Sequence, residues 1–388
     1  MSSNRNVLIS GASIAGPALA YWLNRNGFRT TIVELAPALR PGGNGVDLRG
    51  DAVRLVAQTG ILPELRELAT DIRALTFVDE RGAQVATMPN SAFNTADDIE
   101  IMRGDLARKL HEITSDETEY RFGTTIEALT QRPDGVAVTF ADGTTEIFDL
   151  VIGADGLHSR VRNLAIIPEA RAVHHLGLYF ATAQVDSSFG APGTVTLYNI
   201  PGKVAGVYRS AAHDTAGAFF MLREPHVLEF DHRDRDAQKA LLRKYFDIPG
   251  WRVRELLAQA TADESFYFDA ADQIRIPHWS SGRVALVGDA GYCATLLSGA
   301  GASLALTGAH LLATELAAAA GDHRRAFDRY EATLRPTVAK HQRATKLSSA
   351  LLIPAGPSQL WLRNRLARIL TFEPVAAKVF RQQFERAA

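Results

Sequence analysis

The run Gly11-Ala12-Ser13-Ile14-Ala15-Gly16 fills a G-x-G-x-x-G frame, with serine at the middle glycine position. It follows the apolar stretch Val7-Leu8-Ile9 and opens a segment, Ala15 to Asn26, whose apolar residues recur at helical spacing. Gly11 would turn the chain off a strand, and Gly16 would let helix and strand pack closely. Ser13, Ile14 and Ala15 would then lead N–H groups at a helix N-terminus toward a pyrophosphate. Glu34 closes the next β-branched run, with Leu35 after it, 23 residues beyond Gly11. A carboxylate there can accept hydrogen bonds from a ribose. The chemistry indicated is dinucleotide binding, without a choice of dinucleotide.

Two further turns narrow that choice. Val151-Ile152-Gly153-Ala154-Asp155-Gly156 leads into Leu157-His158-Ser159-Arg160-Val161-Arg162, a second strand, turn and helix. Val284-Ala285-Leu286-Val287-Gly288-Asp289-Ala290 is a third, followed by Ser298-Gly299-Ala300-Gly301-Ala302-Ser303. A simple nicotinamide dehydrogenase needs only the first motif. Asp289 at a strand end is placed to accept from ribitol hydroxyls or to orient water on a pyrophosphate. The N–H groups of Gly299 to Ser303, at the start of a long helix, suit a ring that becomes anionic on reduction, as a flavin does.

With these three motifs, in this order, the chain resembles the single-component FAD-dependent aromatic hydroxylases. Their para-hydroxybenzoate hydroxylase fold is shared by tetracycline-inactivating monooxygenases. The resemblance covers residues 7 to about 320. It implies FAD as cofactor, NADPH or NADH as transient co-substrate, and oxygen transfer to an aromatic or polyketide-like molecule from a C4a-hydroperoxyflavin. It assigns Glu34 to the adenosine ribose and Arg40 to the phosphate-ribose region. Arg103 in Ile101-Met102-Arg103-Gly104 is the arginine that reaches FAD, Asp155 and Asp289 are the two motif aspartates, and Val46 and Asp47 pass near the flavin. The chain departs from the family pattern at Tyr292, Thr295-Leu296, Ala300 and Ser303, where histidine, proline, glutamine and asparagine are usual. Two other readings stay open beside the monooxygenase: a flavin reductase or dehydrogenase that inserts no oxygen, and a redox-silent FAD- or ligand-binding homologue.

With the reactive group on the cofactor, no protein nucleophile is required and no catalytic residue is assigned. Tyr198, Tyr208, Phe219 and Met221, on β segments expected to face the flavin, are candidates to line the substrate, although sheet-core packing accounts for each as well. His174, His175 and His213 are present without a distinguishing context. His158 is expected to pack near the cofactor, and Cys293 to be a buried small residue.

These residues need an α/β frame. The reading is a Rossmann-like FAD-binding domain (1–72, 103–173 and 276–330), an inserted β-rich substrate domain (73–102 and 174–275) and C-terminal helices (331–388). Asp51 to Ala69 reads as one helix, and Arg235 to Phe246 as a helix interrupting the β-rich part. The 42 basic and 43 acidic residues leave a net charge of −1, which gives no global attraction for nucleic acid. A single cysteine excludes an internal disulfide, no Cys/His spacing suits a metal, and a cytoplasmic location is expected. Leu304 to Ala320 is too polar to span a bilayer. The basic, apolar stretch Leu347 to Phe380 fits a packed terminal helix better than a membrane-surface one.

Overall fold

A computed structural model describes residues 5–40, 43–92, 94–210, 214–231 and 234–370. By internal contacts the chain divides into two compact units. The first comprises 1–69, 99–174 and 273–343, the second 70–98, 175–272 and 344–388. The fold is α/β, a Rossmann-like core with a β-rich insertion and terminal helices. The terminal stretch is shared between the units because one helix, His323–Leu352, runs through residue 343 without a break. Sequence alone set 331–388 apart as a separate piece.

The first unit is built on a six-stranded sheet in the order Ser280–Ser281, Val284–Leu286, Leu150–Gly153, Asn6–Ser10, Arg29–Glu34, Thr118–Phe122. The first of these pairs antiparallel and the others run parallel. Val7, Leu8, Ile9, Val151, Ile152, Val284 and Ala285 are fully buried, as strands covered on both faces must be. Chain order reverses beside Asn6–Ser10, which has Arg29–Glu34 on one side and Leu150–Gly153 on the other. In an open α/β sheet such a reversal opens a crevice beyond the carboxyl ends of the strands.

Two helices flank that strand end. Ala15–Arg25 follows the first glycine turn, and Gly301–Ala318 packs against it, burying Leu304, Ala305, Ala309, Leu312 and Ala313. The segment expected to be one helix from Asp51 to Ala69 is two, Asp51–Thr59 and Leu62–Glu67. Gly60, at φ 90°, takes the left-handed conformation that ends the first.

The second unit carries a seven-stranded sheet: Tyr267–Ala270, Leu178–Asp186, Thr215–Arg223, Lys203–Arg209, Thr194–Ile200, Ala74–Val78, Gln84–Pro89. Alternation along these strands separates two faces. One buries Tyr179, Ala181, Tyr198, Val207, Phe220 and Leu222 with Leu242, Phe246, Leu256 and Leu257 of the helices Arg235–Phe246 and Val253–Ala262. The second of these helices was not anticipated. The terminal helix Pro357–Leu370 lies on the other face, where Arg363 stacks 3.8 Å from the Phe77 ring centroid and donates to Asn199 at 2.9 Å. Among the described residues no helix is long and apolar enough to cross a membrane.

Candidate functional site

Parallel register fixes the site. Ser10 stands beside Gly153, and Gly153 beside Leu286, so three adjacent strands end level with one another. Gly11, Ala154-Asp155 and Gly288-Asp289 therefore leave those ends side by side. Gly11, at φ 110°, holds a backbone that other residues rarely adopt, and a Cβ there would overlap the Ala154 carbonyl. A Cβ on Gly16 would overlap the Gly11 carbonyl oxygen. One on Gly288 would come to 3.0 Å from the Ala15 Cβ, so the third turn seats directly on the helix of the first.

The helix Ala15–Arg25 begins with no side-chain cap and no acidic residue in its first turn, and the same is true of Gly301–Ala318. Among the described residues no side chain caps either start, the usual setting for anionic oxygen. Glu34 accepts from the Ala12 N–H at 2.9 Å and from the Ala36 N–H at 3.0 Å. Its carboxylate is thereby held at the strand end with lone pairs to spare. Arg103 donates to the Ser13 hydroxyl at 3.0 Å, and its backbone N–H donates to the Asn44 carbonyl. Gly43 makes room for it: at φ 104°, a Cβ there would stand 2.8 Å from the Arg103 Nε. Leu35 and Arg40 are exposed in the loop after Glu34.

Val46 and Asp47 belong to the short strand Gly45–Leu48, which lies beside the second helix start. Ser303 ties them together, donating from its hydroxyl to the Asp47 carbonyl at 3.0 Å and accepting from the Arg49 N–H at 3.2 Å. Arg49 pairs with the Asp47 carboxylate at 2.9 Å. A Cβ on Gly299 would come within 3.4 Å of both side chains. Gly299 and Gly301 keep a partly open surface around the buried Ala300 and Ala302. Arg49 was not singled out from the sequence; its only signal was its place one residue past that strand.

Asp155 accepts from the Ser159 hydroxyl at 2.5 Å, from the N–H groups of Arg160 and Val161 at 2.9 and 3.1 Å, and from Ser10 at 3.4 Å. Desolvation pushes its pKa up, and these donors pull the other way. Ser159 in turn caps the helix Arg160–Ala165 by accepting from the Arg162 N–H. Arg162, fully buried, donates to the Leu157 carbonyl and, across to the third turn, to the Ala290 carbonyl at 3.0 Å. Burial lowers its pKa. This tie between the second and third motifs was also missed in the sequence.

Solvent reaches the Asp289 carboxylate, yet dense protein around it raises its pKa, opposed by a hydrogen bond with Cys293. Cys293 itself is buried and forms no disulfide. The loop after it lacks prolines and is pinned otherwise. Thr295 is buried at φ 75°, a strained conformation for a β-branched residue, and its carbonyl accepts from Ser298 at 2.8 Å. Gln342 donates to the Cys293 carbonyl at 3.2 Å.

The remaining candidates separate. His158 pairs with Glu169 at 2.7 Å and His175 with Asp272 at 2.9 Å, while His174 is exposed. His213 lies outside the described residues. In the second unit, Gly206 faces Phe219, and Tyr208, Phe219 and Met221 share the sheet face opposite the two helices. Tyr198 does not share it. Paired with Ala205, it points into the helix-covered core against Trp251, so grouping it with the other three is corrected by the register. Among the described residues no group of His, Cys, Asp and Glu could hold a metal ion.

Level strand ends, two helix starts without side-chain caps and a carboxylate at the end of the neighbouring strand are a setting that suits a dinucleotide. Residues 4–345 match the FAD binding domain family. The chain belongs to the FAD-dependent monooxygenase family. It is 38% identical over 373 residues to a flavin-dependent monooxygenase of Legionella longbeachae serogroup 1 (strain NSW150), covering 95% of each chain. It is similar to the crystal structure of the tetracycline destructase Tet(55), with a TM-score of 0.83 and 37% identity over 95% of this chain and 96% of that one. Klebsiella pneumoniae HpxO complexed with FAD and uric acid, at 21% identity and a TM-score of 0.76 over 96% and 95% of the two chains, shares the fold. This family member is an FAD-dependent oxidoreductase.

Proposed function

We propose that the protein uses NADPH or NADH and dioxygen to place one oxygen atom on an aromatic or polyketide-like ring. The observation that carries this reading is the level row of Gly11, Asp155 and Asp289 beyond three register-matched strands, beside the uncapped start of Gly301–Ala318. Bound FAD would supply the redox chemistry, taking reducing equivalents from the nicotinamide and passing them to dioxygen. Gly11, Ser13, Ile14, Ala15 and Gly16 would hold the pyrophosphate, with Arg103 neutralising it from the Ser13 side. Glu34 and Leu35 would take the ribose and adenine end, with Arg40 near the phosphate. Asp155 would shape the turn beside the ring through its hold on Ser159, and Asp289 would orient the ribitol chain. The N–H groups of Gly299 to Ser303 would stabilise negative charge on the reduced ring, and Val46 and Asp47 would border it. Tyr208, Phe219 and Met221 offer a flat apolar face for the substrate.

The relative named as a tetracycline destructase makes a fused polycyclic substrate the first class to try. The purified yellow protein should oxidise a nicotinamide faster when such a compound is present. In 18O2 the product should gain one labelled oxygen. Nicotinamide oxidation that proceeds without dioxygen and leaves the product unlabelled would replace this reading with a reductase.

A further inference from the structure

The short helix Asp289–Tyr292 turns once, too little to hold itself, so its place is set from outside. Its first residue is Asp289 of the third turn and its last is Tyr292. The strand before it, Val284–Leu286, ends three residues short of Asp289. Leu286 is gripped on both edges of its backbone. Its N–H donates to the Trp279 carbonyl at 2.9 Å, and its carbonyl accepts from the Tyr330 hydroxyl at 3.1 Å. The same Tyr330 hydroxyl lies 3.0 Å from that of Tyr292. Both tyrosines are 1% exposed.

The Tyr292 hydroxyl also abuts the helix Gly301–Ala318. A Cβ on Gly308 would overlap it, so a glycine about two turns into that helix admits it. One buried pair of hydroxyls therefore joins the strand end, the Asp289 helix and the helix that begins at Gly301. Tyr330 supplies its half from a fourth element, His323–Leu352. Two phenyl rings would fill the same space at less cost, because a buried hydroxyl must recover what it loses on leaving water. What the hydroxyls add is direction: a hydrogen bond fixes a distance and an angle that ring packing leaves loose. Tyr330 has one proton and two acceptors, so losing its hydroxyl would strand both the Leu286 carbonyl and the Tyr292 hydroxyl.

We propose that Tyr330, acting through Leu286 and Tyr292, is the residue that positions the Asp289 turn against the helix start at Gly301 for FAD. Tyr330 has this role only if Asp289 and Gly299–Ser303 hold FAD, the reading adopted for the site; oxygen transfer does not enter.

The test is flavin fluorescence titration of the FAD-free full chain, beside its thermal melt and the visible circular dichroism of the bound flavin. Tyr330→Phe should weaken FAD about tenfold and change the flavin dichroism. Burial pushes the Tyr292 pKa up to about 12 and that of Tyr330 well above its ordinary value, so both stay protonated. The weakening should therefore be the same at about pH 6 and about pH 9. Tyr292→Phe alone leaves Tyr330 its bond to Leu286 and should cost under about threefold. Gly308→Ala, which pushes the Tyr292 hydroxyl aside, should weaken FAD, and Tyr292→Phe/Gly308→Ala should recover most of that loss. A Tyr330→Phe protein that melts lower yet matches the parent in FAD affinity and flavin dichroism would overturn the proposal. Normal FAD binding by Gly308→Ala would do the same. Asp289→Ala separates the two levels. If it weakens FAD and Tyr330→Phe does not, the role of Tyr330 alone fails. If it leaves the affinity unchanged, the site assignment fails and this role with it.

Discussion

Arg103 meets the first glycine turn through a single hydroxyl, that of Ser13, where the more usual glycine would offer none. Serine at that position fixes Arg103 beside the turn, where under the proposed function it would balance the pyrophosphate charge. Arg103→Ala should therefore weaken FAD binding by about tenfold to a hundredfold, the worth of one or two charge-assisted bonds. Flavin fluorescence titration would measure it, with far-UV circular dichroism unchanged. Arg363 presents the opposite case. It is buried on the second sheet, its Nε and Nη1 find no partner among the described residues, and desolvation lowers its pKa to about 10. A buried charge so poorly compensated contributes little, and an apolar residue of similar length relieves the desolvation. Arg363→Met should leave the thermal midpoint no lower than that of the parent, despite losing the Asn199 bond and the Phe77 stack. A clear drop in scanning calorimetry would mean that the guanidinium is better served than its neighbours suggest.

The helix Arg160–Ala165 is one and a half turns long, too short to persist without help. Its help comes from Asp155 and Ser159, which between them take the N–H groups of Arg160, Val161 and Arg162. Ser159→Ala removes the cap and one donor to Asp155, and should cost about 1–2 kcal/mol in urea unfolding. Beyond the helix, His158 holds the Glu169 carboxyl below its ordinary pKa. A depressed carboxylate stabilises the fold above its unfolded pKa of about 4.3, and that contribution is lost as pH falls through the lower folded value. The stability gap between the parent and Glu169→Gln should accordingly be present at about pH 5–6 and closed by about pH 3. Because the pair is about one-third exposed, with side-chain accessibilities of 29% and 34%, the gap should stay under about 1 kcal/mol. Urea midpoints across that range would show whether it closes.

At the scale of the whole chain, a cofactor that binds only the folded first unit must raise its stability by mass action. At a free FAD concentration about 100 times the dissociation constant the gain is about 2.7 kcal/mol. Thermal melts with and without added FAD should separate accordingly, and the separation should shrink in Arg103→Ala. The three glycine turns, two of them carrying an aspartate, were legible in the sequence because their chemistry is local. A turn that needs φ 110° at Gly11, followed by a helix start, is written in adjacent residues whatever the rest of the chain does. The break at Gly60 was written there too and was read through, as one glycine inside a helical pattern. Other features depend on partners far along the chain. Arg162 matters because Ala290, 128 positions away, offers it a carbonyl, and Arg49 because Ser303 lies beside its N–H. Alternation told which residues of each strand share a face, but Tyr198 parted from Phe219 only once hairpin register set Ala205 opposite the one and Gly206 opposite the other. Which of those faces then met the helices Arg235–Phe246 and Val253–Ala262 was decided by packing. The sequence by itself determined what cofactor the turns could hold, since backbone conformation and helix-end charge are properties of neighbouring residues. Only the tertiary structure decided what surrounds them, since burial and long-range hydrogen bonds are properties of residues that meet after folding.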